Sequence, residues 1–473
     1  MRMNFKNPSL PNLIMAMKKY IKSLSLLLAA LSSATAFAQD TKTGYFLDEY
    51  TYRYQMNPAV GNDRGFVSMP ALGNLNVGIN GTLHLNSVIY NVDGRTTTFM
   101  NPQLSAGEVL GKFKDMNRIG TDLKLNVFSV GFNALGGYNT VSVNARADVG
   151  VKVPKSIFSL LKEGIANETY DISGVRANAT AYAELALNHS RDLNSEWRVG
   201  AAVKLLFGLG NIDANLRKAQ LRLGEDSWDV VSNAEIQSSV KGLHYKTKLN
   251  DKSDHEYVSG AKIDGFGLGG FGLGFDLGAV YSPAALPDWQ FSAALLDLGF
   301  ISWSNNVLAT TGGDRYFQTD RYTFNADDDA PNSFSNEWER LRDDLTALYE
   351  LDSRGDIGGR TTSLASTFNI GARYTFPLYR NLQFGLLNTT RIQGAYSWTD
   401  FRLSANVAPC KLFSAAASVD AGTFGCGFGW LLNFHVTGFN LFLGMDHTIG
   451  TLAKQGVPLN SNGSVNFGLD FLF

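Results

Sequence analysis

Val465-Asn466-Phe467-Gly468-Leu469-Asp470-Phe471-Leu472-Phe473 is the last stretch of the chain, and its reading decides the fold. Successive side chains of an extended strand point to opposite faces. Val465, Phe467, Leu469, Phe471 and Phe473 therefore share one face, and Ser464, Asn466, Gly468 and Asp470 share the other. A lipid-facing apolar row, a lumen-facing polar row and a terminal aromatic are the pattern of a bacterial outer-membrane barrel strand. A half-buried strand of a soluble sheet alternates in the same way, so the rest of the chain has to decide.

The alternation recurs at residues 75–83, 141–151, 175–187, 197–207, 271–281, 289–295, 368–376, 401–407, 424–434 and 439–445. These runs approach the length of a tilted membrane strand, about 9–11 residues. Their polar face is rich in Gly, Ser, Asn and Thr with isolated charges, which suits a confined lumen better than bulk water. Tyr138, Trp197, Tyr281, Trp289, Trp303 and Tyr374 lie near strand ends, where an interfacial aromatic girdle belongs. Connections at 136–139, 282–288, 377–381, 408–411 and 435–438 are short. Those at 86–123, 152–173, 241–264, 302–360 and 448–463 are long. Counting back from a periplasmic C-terminus puts every short turn inside and every long loop outside. The expected fold is all-β: a transmembrane antiparallel β-barrel of about 14 strands, with short helices at 154–165 and 336–350 in outer loops. A polar hairpin around 212–240 either extends above the membrane or crosses it, and crossing would make 16 strands.

Lys18, Lys19 and Lys22 precede a short apolar stretch at 24–31, and Ala36-Phe37-Ala38 follows. This is the layout of a secretory signal peptide, residues 1–38, cut after Ala38. No apolar run is long enough for a membrane-spanning helix. Residues 39–72 carry no strand pattern and are expected to plug the lumen, with Asn57 and Pro58 forming the plug's turn. The barrel then occupies 73–473. Five of the 41 basic residues and none of the 43 acidic ones precede Gln39, so the remainder is acidic by seven. That balance gives no reason to expect nucleic acid as a partner.

Arg146, Asp148, Arg176, Glu184, Arg198, Lys204, Asp276, Arg373 and Arg402 fall on the polar face and are expected to line the lumen. Charges there must be paired or hydrated. Gly272, Gly274 and Gly278 on the same face would leave room for a segment inside the barrel. Gly265 to Gly270 matches G-x-G-x-x-G, but it leads into a strand, and a dinucleotide site needs a helix there. No zinc spacing, complete calcium loop or nucleophile elbow survives inspection. No cofactor, metal or catalytic residue is assigned, and the chain is not expected to be an enzyme. Cys410 at a turn and Cys426 on the outer face, the latter opposite a residue near Ala416, are too far apart to pair.

Asn57-Pro58-Ala59, Gly274-Phe275-Asp276-Leu277-Gly278-Ala279-Val280-Tyr281 and Asp297-Leu298-Gly299-Phe300-Ile301-Ser302-Trp303 resemble a Bacteroidota outer-membrane family, domain of unknown function 5723. That family is distantly similar to the FadL and PorV barrels. The resemblance implies an N-terminal segment tucked into the lumen, and it brings no substrate and no catalytic residues. It also implies that Phe467, Leu469, Phe471 and Phe473 act as a C-terminal signal read by the barrel-assembly machinery. The leading expectation is FadL-like passage of a small hydrophobic or amphipathic ligand across the bacterial outer membrane, with outer-membrane lipid around the barrel. The alternative is a non-conducting scaffold or secretion-accessory barrel that docks a protein partner through its outer loops.

Overall fold

Fourteen antiparallel strands close on themselves. In chain order they are β1 (Phe66–Ser68 continued by Asn74–Gly81), β2 (Met116–Ala134), β3 (Gly137–Pro154), β4 (Val175–Asp192), β5 (Trp197–Leu223), β6 (Gly270–Tyr281) and β7 (Trp289–Trp303). There follow β8 (Arg360–Ser363 continued by Ser366–Thr375), β9 (Leu382–Ile392), β10 (Trp398–Cys410), β11 (Phe413–Gly422), β12 (Gly425–Val436), β13 (Phe439–Met445) and β14 (Gly463–Leu472). The computed structural model describes residues 41–473 except 165–167, 224–226, 251–254, 266, most of 320–349, 437 and 448–461. The signal-peptide assignment lies outside the described residues, as does much of the helix expected at 336–350.

Closure is made by β14 against β1, with Leu75 opposite Phe467 and Phe66 opposite Leu472. The period-2 pattern resolves as a wall with two faces. Leu187, Val203, Leu277, Phe401, Leu403 and Val419 point outward and are exposed, whereas Asn144, Asn188, Asn406, Ser418 and Asn466 point inward and are buried. At one end, which we call the turn end, β2–β3, β4–β5, β6–β7, β8–β9, β10–β11 and β12–β13 are joined by short connections. Aromatic side chains pair outside that end: Trp197 stacks on Tyr281 at 4.5 Å between centroids, and Trp289 lies tilted against Tyr374 at 5.0 Å.

The strand number is 14 because β5 and β6 pair directly, from Trp197 opposite Tyr281 to Gly208 opposite Gly270. No further strands fit between them. The upper part of β5 instead pairs with Trp228–Val240, which pairs in turn with Val307–Thr310 and Arg315–Gln318. The hairpin around 212–240 thus extends past the barrel as a small sheet at the loop end. A helix at Lys155–Glu163, inside the expected span, packs its Phe158 on Phe113 over β1–β3.

Three expectations need correction. The sheet begins at Phe66, so the interior segment ends near Gly65 and not at Leu72. Residues 69–73 loop out of the sheet, with Ala71 at φ 59°, and this break hid the strand. Not every short connection lies at the turn end: Thr423-Phe424 joins β11 to β12 at the loop end. That tight hairpin sets Cys426 opposite Ala421, not Ala416. Both cysteines are free and exposed.

Candidate functional site: the filled lumen

Residues 41–65 run inside the barrel and contain two short 3-10 turns, Lys42–Gly44 and Thr51–Gln55. Their aromatic side chains supply the interior core. Tyr45, Phe46, Tyr50, Tyr52 and Tyr54 are buried together with Leu387, Leu431 and Phe442 of the wall. Polar groups of this segment meet inward-facing side chains of the wall, as buried polar groups must. Asp446 accepts hydrogen bonds from the backbone N–H of Lys42 at 2.8 Å and of Thr43 at 2.9 Å. Asn433 donates to the Glu49 carbonyl at 2.9 Å, Asn440 to Thr51 Oγ1 at 3.0 Å, and Asn369 to the Met56 carbonyl at 2.9 Å.

The Asn57-Pro58 turn rests on glycine. Asn57 Oδ1 accepts from the Ala59 N–H at 3.0 Å, and Asn57 Nδ2 donates to the Tyr45 hydroxyl at 3.1 Å. Beneath it, Gly278 of β6 lies opposite Gly200 of β5. A Cβ on Gly278 would come within 2.2 Å of Asn57 Oδ1, and one on Gly200 within 2.1 Å of the Pro58 oxygen. Gly272 and Gly274 make no such room. A Cβ on Gly272 would strike the Phe300 backbone at 2.0 Å, and Gly274 borders Lys204 and Leu364. Their parity matched that of Gly278, but only Gly278 sits at the depth the segment reaches.

Nearer the loop end, charged side chains bridge opposite walls. Arg146 of β3 forms a two-pronged pair with Asp297 of β7, at 2.8 and 2.9 Å, and reaches Glu184 of β4 at 3.1 Å. Lys204 of β5 contacts Asp276 and Asp297, each at 2.6 Å. Arg391 of β9 pairs with Asp148 of β3 and, at 3.2 Å, with Asp122 of β2. A second cluster sets the buried Arg402 among Asp400, Asp420 and Asp446, at 3.3, 3.3 and 3.6 Å. Asp297 holds a left-handed conformation, φ 59°, where the β6–β7 register shifts, and its N–H donates to Asp276 Oδ1 at 2.7 Å.

The remaining candidates lie at the two mouths. Arg373 pairs with Asp48 at 2.7 Å near the turn end, and Asp48 also holds Arg53 at 2.7 Å. Arg198, also there, is 3.9 Å from Asp192. Arg176 is exposed near the loop end and donates to Asn215 at 3.2 Å. In β14 the outward row Phe467, Leu469 and Phe471 is only partly covered, and the Phe473 N–H donates to the Gly65 carbonyl at 3.0 Å. Sequence reading missed Asp122, Asp297, Arg391, Asp400, Asp420 and Asp446. Their signal was present as acidic and basic residues on neighbouring inward rows.

A cavity of about 60 Å³ lies where the interior segment meets the ion pairs, lined by Lys42, Met56, Arg146, Leu296, Arg391 and Trp398. A drug-sized ligand fills roughly 300–1,000 Å³, so this space holds a few waters at most. Around it the lumen is occupied by the interior segment and the ion pairs.

These features define a closed 14-stranded β-barrel with a segment of its own chain inside. The chain belongs to a family of unknown function, DUF5723, whose profile matches residues 58–446. Comparison with curated proteins finds no match. Among solved structures it is similar to the P. putida toluene transporter TodX, at 8% identity and a TM-score of 0.38 over 88% of this chain and 92% of that one. The Ralstonia pickettii toluene transporter TbuX matches at 9% and 0.39, over 89% and 92%. A Pseudomonas aeruginosa FadL homologue matches at 11% and 0.36, over 93% and 99%. Likenesses this low carry no functional argument, and the fold rests on the strand register above.

Proposed function

We propose that the chain is a bacterial outer-membrane barrel that passes a small hydrophobic or amphipathic molecule through a lumen closed at rest. The observation that carries this reading is how residues 41–65 are held. No strand of the sheet lies within them. They sit on glycine seats and are fixed by side-chain hydrogen bonds, so they can leave without unzipping the wall. The outward apolar row and the paired aromatics at the turn end favour lipid around the barrel, with that end in the periplasm. Phe467, Leu469, Phe471 and Phe473 would be the row that the assembly machinery reads.

The second reading is a non-conducting scaffold that docks a protein partner at the loop end. It is favoured by the cross-lumen ion pairs and by the small sheet that β5 carries past the barrel. Deleting residues 41–56 and measuring solute entry by liposome swelling separates the two. Passage predicts a clear rise over the intact protein. Swelling that stays at the level of empty liposomes, with the barrel folded, would leave the scaffold reading in its place.

A further inference from the structure

The rim at the turn end is apolar where turn chemistry calls for polar residues. Leu135, Leu193, Leu286, Leu378 and Leu412 are exposed, each in a different connection, and Phe473 joins them at the end of β14. Turns ordinarily take Gly, Asn, Asp, Ser or Pro. Single exposed leucines are normal on a protein surface, but one in five of the six connections at a single end is a pattern.

Leu135 sharpens the point. With Gly136 it makes the two-residue link between β2 and β3, at φ 56° and 70°. A hairpin with both central residues at positive φ favours Asn-Gly, and an aliphatic residue is strained there. The chain nevertheless keeps a leucine at that position, 86% exposed.

The ring also continues a surface that is already apolar. Leu193 comes just before Trp197 and Leu286 just before Trp289, two members of the aromatic pairs outside the wall. The leucines recur around the barrel, from β2–β3 to β10–β11. A partner seated on one side would cover only part of such a ring, whereas a lipid annulus meets all of it. The flanking charges are of both signs, Arg191 and Asp192 beside Leu193, Arg380 paired with Asp288, so the attraction is apolar and not electrostatic.

We infer that this rim is a lipid-binding surface: the turn leucines insert at the headgroup–acyl boundary of the periplasmic leaflet, and the barrel sits with its turns in lipid rather than in water. The inference rests on the outer-membrane reading above. Amphipathic elements with exposed apolar residues bind at that boundary.

The test uses the full chain with Cys410→Ser and Cys426→Ser, and single cysteines at Leu193→Cys, Leu378→Cys or Leu403→Cys, each labelled with an environment-sensitive fluorophore. The protein is reconstituted into phosphatidylcholine vesicles, with iodide on both sides. Position 403 lies mid-strand on the outward face and serves as the membrane control. The inference predicts that labels at 193 and 378 are quenched by lipids spin-labelled near the headgroup and shielded from iodide. Iodide quenching at the rim, with lipid quenching kept at 403, would overturn the inference and leave the outer-membrane reading standing. Rim labels shielded from both quenchers would mean that protein covers them, which also overturns it. Loss of lipid quenching at 403 as well would overturn both readings.

Discussion

The Tyr52 hydroxyl donates to Asp470 Oδ1 at 2.6 Å, tying the interior segment to the strand that closes the barrel. Asp470 is fully buried, and its other oxygen accepts from Asn440 at 3.3 Å. Tyr52→Phe keeps the ring against Phe66 and Phe442 but leaves Asp470 Oδ1 without this donor. Stranding a buried acceptor costs about 1–3 kcal/mol. The variant should release residues 41–56 to protease at lower urea than the parent, with the barrel still resisting heat in gel electrophoresis. An unchanged release midpoint would show that the aromatic packing alone holds the segment.

Gly278 and Gly272 offer a paired test, because the same substitution should do different things at each. In Gly278→Val the new side chain collides with Asn57 and Pro58. The turn should be displaced, and solute entry should rise while the barrel stays folded. In Gly272→Val the collision is with the β7 backbone at Phe300, so the yield of folded barrel should fall instead. Equal effects of the two variants would argue against a seat at Gly278.

Periodicity made the wall legible, since an outward apolar row repeats in almost every strand. It faded where the faces stop differing. In β11, Ala415, Ala416, Ala417 and Ala421 occupy both faces, so alternation is weak although the strand is fully paired. In β9, Leu387 points inward and is buried against Phe442 and the interior aromatics. An apolar residue on the lumen row reverses the expected pattern, and that concealed Arg391 two steps further on the same face. At Asp297 a register shift changes which face a given parity means. The ion pairs across the lumen depend on which walls approach one another, and spacing along one chain does not encode that.

Arg391 is the residue whose removal should show what those ion pairs do. Its guanidinium neutralises Asp148 and Asp122 from the opposite wall. Arg391→Ala leaves two carboxylates facing each other in a partly dry interior. Breaking a buried pair from one side costs about 3–5 kcal/mol. Unfolding in urea, followed by tryptophan fluorescence, should shift down by about that amount. Single-channel recording should also show openings that the parent lacks, if the passage reading holds. A variant as stable as the parent would mean that water already reaches these carboxylates.

Asp48 gives the interior segment an acid-side pH dependence of its own. Asp48 is exposed at the mouth, and the partial loss of water there is outweighed by the Arg53 and Arg373 guanidiniums beside it, which hold its carboxyl below the usual carboxylate range. The folded-state value therefore lies below that of the unfolded chain, about 3.9 for aspartate. A group depressed in this way contributes its stabilisation in full above the unfolded value and loses it as pH falls through the folded one. Between pH 7 and 5 the Asp48 contribution is constant, so the ratio of solute entry into proteoliposomes in Asp48→Asn to that in the parent should not change over that range. Below roughly pH 4 the released segment's Asp48 takes up a proton while the held one stays ionised, so the hold on Arg53 and Arg373 weakens progressively as pH falls further and entry should climb. Asp48→Asn removes the titrating group and both charge pairs. Its entry should already be raised at pH 7, and the step below pH 4 should shrink. An acid response of the same size in Asp48→Asn would assign the step to another carboxylate, with Asp446 the next to test, since it accepts from Lys42 and Thr43 of the same segment.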